Sequence, residues 1–91
     1  MSKTMTEIMK EMFEQVIRDK EKTGLFQLPK TLGPHRETMK WVLQKIQDGT
    51  LTAYDLRYTY GDETIEALMR GEVPQMATPP PDGRRRFGSG E

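Results

Sequence analysis

The apolar residues near the start of the chain recur at the spacing of one helix face. The members of this apolar stripe are Met5, Ile8, Met9, Met12, Phe13, Val16 and Ile17. Their i, i+3, i+4, i+7 spacing predicts an amphipathic α-helix, with charged residues such as Glu7 and Glu14 on the opposite face. The stripe covers roughly half of the helix perimeter, which is wider than the seam of a two-stranded coiled coil. The helix is therefore expected to contact two or more neighbours in a compact bundle.

Polar residues and glycines predict where the two longer helices begin and end. Thr4, followed three residues later by Glu7, is a capping-box pattern for the first helix, and Gly24 is expected to end it. Pro34 is expected to open a second helix, where its missing N–H is harmless, and Gly49 to follow its end. The apolar stripe of this second helix is Met39, Val42, Leu43 and Ile46.

Two shorter helices are predicted after the second one. Thr52 is expected to cap a helix over residues 53–60. Asp62 is expected to cap another over residues 63–70, with acids in its first turn and Gly71 at its end.

The predicted fold class is all-α: a compact small bundle of four helices, two longer and two short, within residues 1–72. Gly61, between the short helices, is expected to have a positive φ. Residues 73–91 are rich in Pro, Gly and Arg and lack apolar periodicity, so they are expected to form a disordered tail. On this interpretation, a chain truncated after Gly71 should be as stable as the full chain.

The loop between the longer helices is unusually apolar. Its large apolar residues are Leu25, Phe26, Leu28 and Leu32. Four such residues in eight are too many for an exposed loop, so this segment is expected to cover the core. Trp41 lies almost opposite the stripe of the second helix, so it either packs under this loop or stands on the surface.

Composition narrows the function classes. Ninety-one residues allow one domain at most. The chain has no Cys, which excludes disulfides and zinc–cysteine sites and fits a cytoplasmic protein. It has no apolar run long enough for a transmembrane helix. Its 14 basic and 14 acidic residues cancel, so it has no overall attraction for nucleic acid or an anionic membrane.

The residue types needed for catalysis are sparse. His35 is the only His, and the only Ser residues, Ser2 and Ser89, lie near the two ends of the chain. No glycine-rich phosphate loop is present. The sequence therefore predicts a protein that is not an enzyme and that has no cofactor, metal site or small-molecule substrate.

The favoured function is that of a small non-catalytic regulatory or adaptor protein that acts through protein–protein contacts, with a homodimer as one form. Trp, Tyr and Met are enriched at protein interfaces. The predicted protein-interaction residues are Trp41, Tyr54 and Tyr58.

A nucleic-acid-binding transcriptional regulator is the alternative. The short helix, glycine and short helix of residues 51–72 resemble the outline of a phage-repressor-type helix-turn-helix. Asp62 stands where that motif has an apolar residue, and the second helix of the pair carries acids that would repel phosphates. The candidate nucleic-acid-binding residues are Arg36, Lys40, Gln44 and Lys45 on the second helix and Arg84, Arg85 and Arg86 in the tail.

Overall fold

A computed structural model describes residues 2–84 of the chain. Within this range the secondary structure consists of four α-helices and a single 3₁₀ turn, with no strand. The elements are α1 (Met5–Thr23), α2 (Arg36–Gln47), α3 (Ala53–Leu56), α4 (Asp62–Met69) and the 3₁₀ turn (Asp82–Arg84). The predicted all-α fold, with two longer and two short helices, is confirmed.

The ends predicted for α1 are confirmed. The Thr4 hydroxyl accepts the N–H of Glu7 at 3.1 Å, and the Glu7 carboxylate accepts the N–H of Thr4 at 2.9 Å, which completes the capping box. At the other end Gly24 has a φ of 79° and donates its N–H to the carbonyl of Lys20. These two caps satisfy backbone groups that the helix itself leaves unpaired.

The helix α2 begins later than predicted. Its N-cap is His35, whose own N–H donates to the carbonyl of Leu32 at 3.2 Å. This bond belongs to a turn over residues 30–34, so Pro34 lies in the turn rather than in the first turn of the helix. Gly49 follows the end of α2 as predicted, with a φ of 87°.

The helix α3 is a single turn, shorter than the predicted span of residues 53–60. Thr52 caps it as predicted, in a capping box with Asp55. The Asp55 carboxylate also lies 3.4 Å from the ammonium of Lys20, and both groups are largely shielded from solvent. The end of α1 is thereby linked to the start of α3.

The predicted positive φ at Gly61 is wrong. Its φ is −74°, and it is the N-cap of α4, which therefore begins at Asp62 rather than one residue later. Its N–H donates to the carbonyl of Thr78 at 2.9 Å. A Cβ built on Gly61 would lie 2.7 Å from both the Pro79 carbonyl oxygen and the Thr78 hydroxyl. Glycine is needed here for close approach of a second segment, not for backbone conformation.

An aromatic cluster forms the centre of the core. The Phe13 ring of α1 lies 6.3 Å from the Phe26 ring, edge to face, and 5.7 Å from the Trp41 ring of α2, measured between centroids. Phe26 and Leu32 are buried, which confirms that the loop between α1 and α2 covers the core.

The packed region extends beyond the boundary predicted at residue 72. Val73 and Ala77 pack against the core, and the backbone N–H of Thr78 donates to the Thr64 hydroxyl of α4 at 2.8 Å. The prediction of a disordered tail from residue 73 is therefore wrong for this part of the segment. Residues 85–91 of that predicted tail lie outside the described residues.

Candidate interaction surfaces

The apolar stripe of α1 is only partly covered. Its C-terminal members Phe13, Val16 and Ile17 are buried. At the N-terminal end the exposed fractions are 71% for Met5, 42% for Ile8 and 39% for Met12. A helix of 19 residues is about 28 Å long and one of 12 residues about 18 Å. The length of α1 therefore exceeds that of α2, its packing partner, and the first turns of the stripe remain open to solvent.

The three exposed residues define a single surface, which we call the α1 face. Met5, Ile8 and Met12 have the i, i+3, i+7 spacing of neighbours on a helix. Periodicity identifies these side chains as one face, but it does not show which part of the face a neighbouring element covers.

Two of the three predicted protein-interaction residues lie together. The guanidinium carbon of Arg57 is 4.6 Å from the centroid of the Tyr54 ring and 4.9 Å from that of the Tyr58 ring. These distances are typical of cation–π contacts. Tyr54 is 66% exposed, and Tyr58 is half-buried. The sequence predicted the two tyrosines as interaction residues but not Arg57, whose position three residues after Tyr54 was the available signal.

Trp41, the third predicted interaction residue, is not on the surface. Only 8% of it is exposed, and its ring packs on Phe13. The expectation that Trp41 is buried is therefore confirmed, and the ring contact that the structure shows is with Phe13 of α1. The stripe of α2 did not show this burial, because the residues that cover Trp41 come from elsewhere in the chain.

The basic residues of α2 have partners within the chain. Arg36 donates to the carbonyl of Val73 at 3.4 Å, and the Lys40 ammonium lies 3.1 Å from the Glu37 carboxylate. Lys45 lies 3.9 Å from Asp48, and the exposed Gln44 is on the same helix. Neither the side chain of Arg84 nor residues 85 and 86 are among the parts of the chain that the structure describes.

The geometry of residues 51–72 differs from that of a helix-turn-helix. The first helix of the pair, α3, is one turn long, and α4 has eight residues. The first turn of α4 carries Asp62 and Glu63. Acids at this position would face phosphates if α4 entered a DNA groove.

A groove of about 820 Å³ lies between two irregular segments, residues 26–34 and residues 77–80. Pro29 and Pro79 stand on its two walls, and Tyr58 and Tyr60 also line it. We call it the proline groove. No sequence motif indicates this groove, because its walls come from three separate parts of the chain.

Two side chains among the described residues have a clearly shifted pKa. The pKa of the exposed Asp48 carboxyl is lowered, chiefly by hydrogen bonds from Thr50. Burial raises the pKa of the Tyr60 hydroxyl well above its ordinary range, and this hydroxyl donates to the carbonyl of Gly33 at 2.7 Å. Both groups have a structural partner: Asp48 lies at the end of α2, and Tyr60 joins the loop to the residues before α4.

Residues 2–84 contain neither a cluster of metal ligands nor a helix suited to crossing a membrane. No three His, Asp or Glu side chains converge as a metal site requires. None of the described helices combines the length and apolar composition needed to cross a lipid bilayer. Comparison of the chain with protein-family models, with curated proteins and with solved structures finds no match.

Proposed function

We propose that this chain is a small non-catalytic regulatory or adaptor protein of the cytoplasm that acts through protein–protein contacts. The observation that carries the proposal is the α1 face, on which Met5, Ile8 and Met12 are exposed side by side. Contiguous exposed apolar side chains are typical of interaction sites. Met is adaptable in shape and is enriched at interfaces.

The simplest partner for this face is a second copy of the chain. In a symmetric dimer the same surface is used by both subunits, so one apolar helix face suffices for both sides of the contact. Residues at i, i+3 and i+7 are the usual anchors when a helix packs into an apolar groove or against another helix. Self-association would cover the part of the stripe that α2 leaves open.

The test is sedimentation equilibrium over a concentration series from micromolar to millimolar. We expect a monomer–dimer equilibrium for the natural chain and a monomer for Met12→Glu, because a carboxylate would be buried in the contact. The matched control is Lys10→Glu, which introduces the same group on the solvated face of the same helix and should leave the dimer intact. A natural chain that remains monomeric throughout, or a Met12→Glu variant that dimerises equally well, would refute self-association through the α1 face.

Nucleic-acid binding is the second candidate function. The observation in its favour is the exposed Tyr54 ring backed by Arg57, since bases stack on aromatic rings and guanidinium planes. Against it, Arg36, Lys40 and Lys45 each contact another group of the chain.

Salt dependence separates the two candidates. Affinity for duplex DNA would fall with salt at a log–log slope near −0.9 per phosphate neutralised. The triple change of Arg36, Lys40 and Lys45 to Gln would weaken that affinity and flatten the slope. We expect no appreciable duplex binding at physiological salt. Tight duplex binding by the natural chain that is lost in the triple variant would favour the nucleic-acid-binding regulator instead.

A further inference from the structure

We propose that the proline groove binds an extended, acidic and partly apolar peptide segment of a partner protein. The inference rests on the proposed role in protein contacts, but it does not depend on self-association through the α1 face. It adds a second surface, on a different part of the molecule, and states the chemistry of its occupant.

The size and lining of the groove fit a ligand with apolar side chains. Its volume of about 820 Å³ lies in the range of natural binding pockets, which are mostly apolar with a few polar groups. Leu28 and Pro29 line one wall, and Ala77 and Pro79 line the other. Tyr58 adds an aromatic surface, which suits the flat faces of extended peptides.

Unpaired backbone groups along one wall favour a peptide. The N–H and C=O groups of Gln27 and Leu28 form no hydrogen bond with any described residue. Both residues lie beside the groove, in a segment without regular secondary structure. An added peptide strand can pair with such groups while its alternate side chains enter the apolar space.

The charges of the side chains at the groove favour an acidic peptide. Among the described residues, Lys30 is the only one with a charged side chain that lines the groove, and it makes no ion pair with any of the others. Arg57 lies against the Tyr58 ring at the same groove. No carboxylate of the described residues lines the groove. An acidic ligand is therefore complementary, whereas the chain's own basic residues, Arg84 to Arg86, would be repelled.

Hydrogen bonds hold both walls in place before a ligand arrives. The buried Tyr60 hydroxyl donates to the carbonyl of Gly33 and fixes the loop side. The bonds between Thr78 and Thr64 fix the other side. A site whose walls are already formed loses less conformational entropy on binding.

The test uses the full chain and a peptide array. The probe peptides alternate valine or leucine with glutamate, and matched peptides carry lysine or glutamine in place of glutamate. We expect binding of the glutamate peptides that is weakened about tenfold or more in Lys30→Glu, which loses one charge-assisted contact. Lys30→Glu should instead bind the lysine peptides. The matched control Lys10→Glu makes the same charge change on exposed α1 and should bind as the natural chain does.

A second variant tests the position of the peptide. Thr78→Val removes a hydroxyl that holds one wall, and Tm is measured alongside binding to show that the variant is folded. We expect weaker binding with the preference for glutamate retained. Four results would overturn the proposal: equal binding of all three peptide sets, binding unchanged by Lys30→Glu, no binding at all, or binding only in a chain shortened after Arg84. The last would assign the groove to the chain's own C-terminal residues. None of these results bears on sedimentation of the Met12→Glu variant, so the two proposals fail separately.

Discussion

The backbone N–H of Thr78 donates to the hydroxyl oxygen of Thr64 at 2.8 Å, and the two hydroxyls lie 2.9 Å apart. Thr64 is in the first turn of α4 and is almost completely buried. One threonine side chain therefore attaches the segment after α4 to the helix bundle. A buried polar group without a partner is costly, so each of these two residues depends on the other.

Thr64→Val should destabilise the protein by about 1–2 kcal/mol. The change keeps the shape of the side chain but leaves the N–H of Thr78 without an acceptor in a partly buried place. Urea unfolding followed by circular dichroism measures the free energy of unfolding. Thr31→Val is the control, because Thr31 is exposed and its side chain forms no hydrogen bond within the described part of the chain. Equal effects of the two changes would show that the Thr64–Thr78 bonds contribute nothing.

Gly61→Ala should be costly only while the segment after α4 is present. The new Cβ would lie 2.7 Å from the Pro79 carbonyl oxygen, although the φ of −74° suits any residue. In the full chain we expect a loss of about 1–3 kcal/mol from this overlap. In a chain truncated after Gly71 the loss should shrink to the smaller preference for glycine at an N-cap.

The Gly61→Ala change and the truncation after Gly71 together form a double-mutant cycle. Gly24→Ala is the comparison variant for it. Gly24 has a φ of 79°, and a Cβ there would have no atom of another described segment within 4 Å. Its cost comes from left-handed strain and should be the same in both chain lengths. The truncation itself should lower Tm, because it removes the contacts of Val73, Ala77 and Thr78. An equal Gly61→Ala penalty in both chains would contradict the docking of residues 77–80.

Phe13→Ala should cost about 3–5 kcal/mol, whereas Met12→Ala should cost less than about 1 kcal/mol. Phe13 is fully buried between Phe26 and Trp41, so its loss leaves a cavity. Met12, its neighbour, is partly exposed on the α1 face. Since a domain of this size has only about 5–15 kcal/mol of stability, the first variant should be largely unfolded or close to it. If Met12→Ala lost about as much stability as Phe13→Ala at low protein concentration, Met12 would be buried within the monomer.

Local sequence rules predicted the helices well, because their signals lie within a few residues. The apolar spacing of α1 and the Thr4–Glu7 capping box are both complete within one segment. The same rules missed the docking of Thr78, which depends on polar bonds to a residue 14 positions earlier. Helical periodicity reflects the positions of apolar side chains and does not indicate such bonds.

The candidate surfaces were harder to predict than the helices. Spacing placed Met5 and Phe13 on one face of α1 but could not show that α2 leaves the first turns uncovered. The position of Trp41 off the α2 stripe left its burial undecided, because the Phe13 ring that packs on it belongs to another helix. The proline groove has no local signal at all, since Pro29 and Pro79 are 50 residues apart in the chain.

Tyr60→Phe should alter how stability depends on alkaline pH. Burial raises the pKa of the Tyr60 hydroxyl in the folded state, while an unfolded tyrosine has a pKa of about 10. Below about pH 10 both states keep the proton, and this group adds no pH dependence. As the pH rises above that value the unfolded state releases the proton first, so the folded state loses stability.

The Tyr60→Phe variant has no hydroxyl proton to release, so this titration does not affect its stability. At neutral pH it should be less stable by about 1–2 kcal/mol, because the buried carbonyl of Gly33 loses its donor. As the pH rises past about 10 the natural chain loses the additional stability and the difference between the two should narrow. Urea unfolding of both proteins across this range gives that difference directly, and titrations common to both cancel. Tyr54→Phe controls for the loss of a phenol hydroxyl from the surface. A difference that stays constant or widens with pH would show that the Tyr60 hydroxyl is not held protonated in the folded protein.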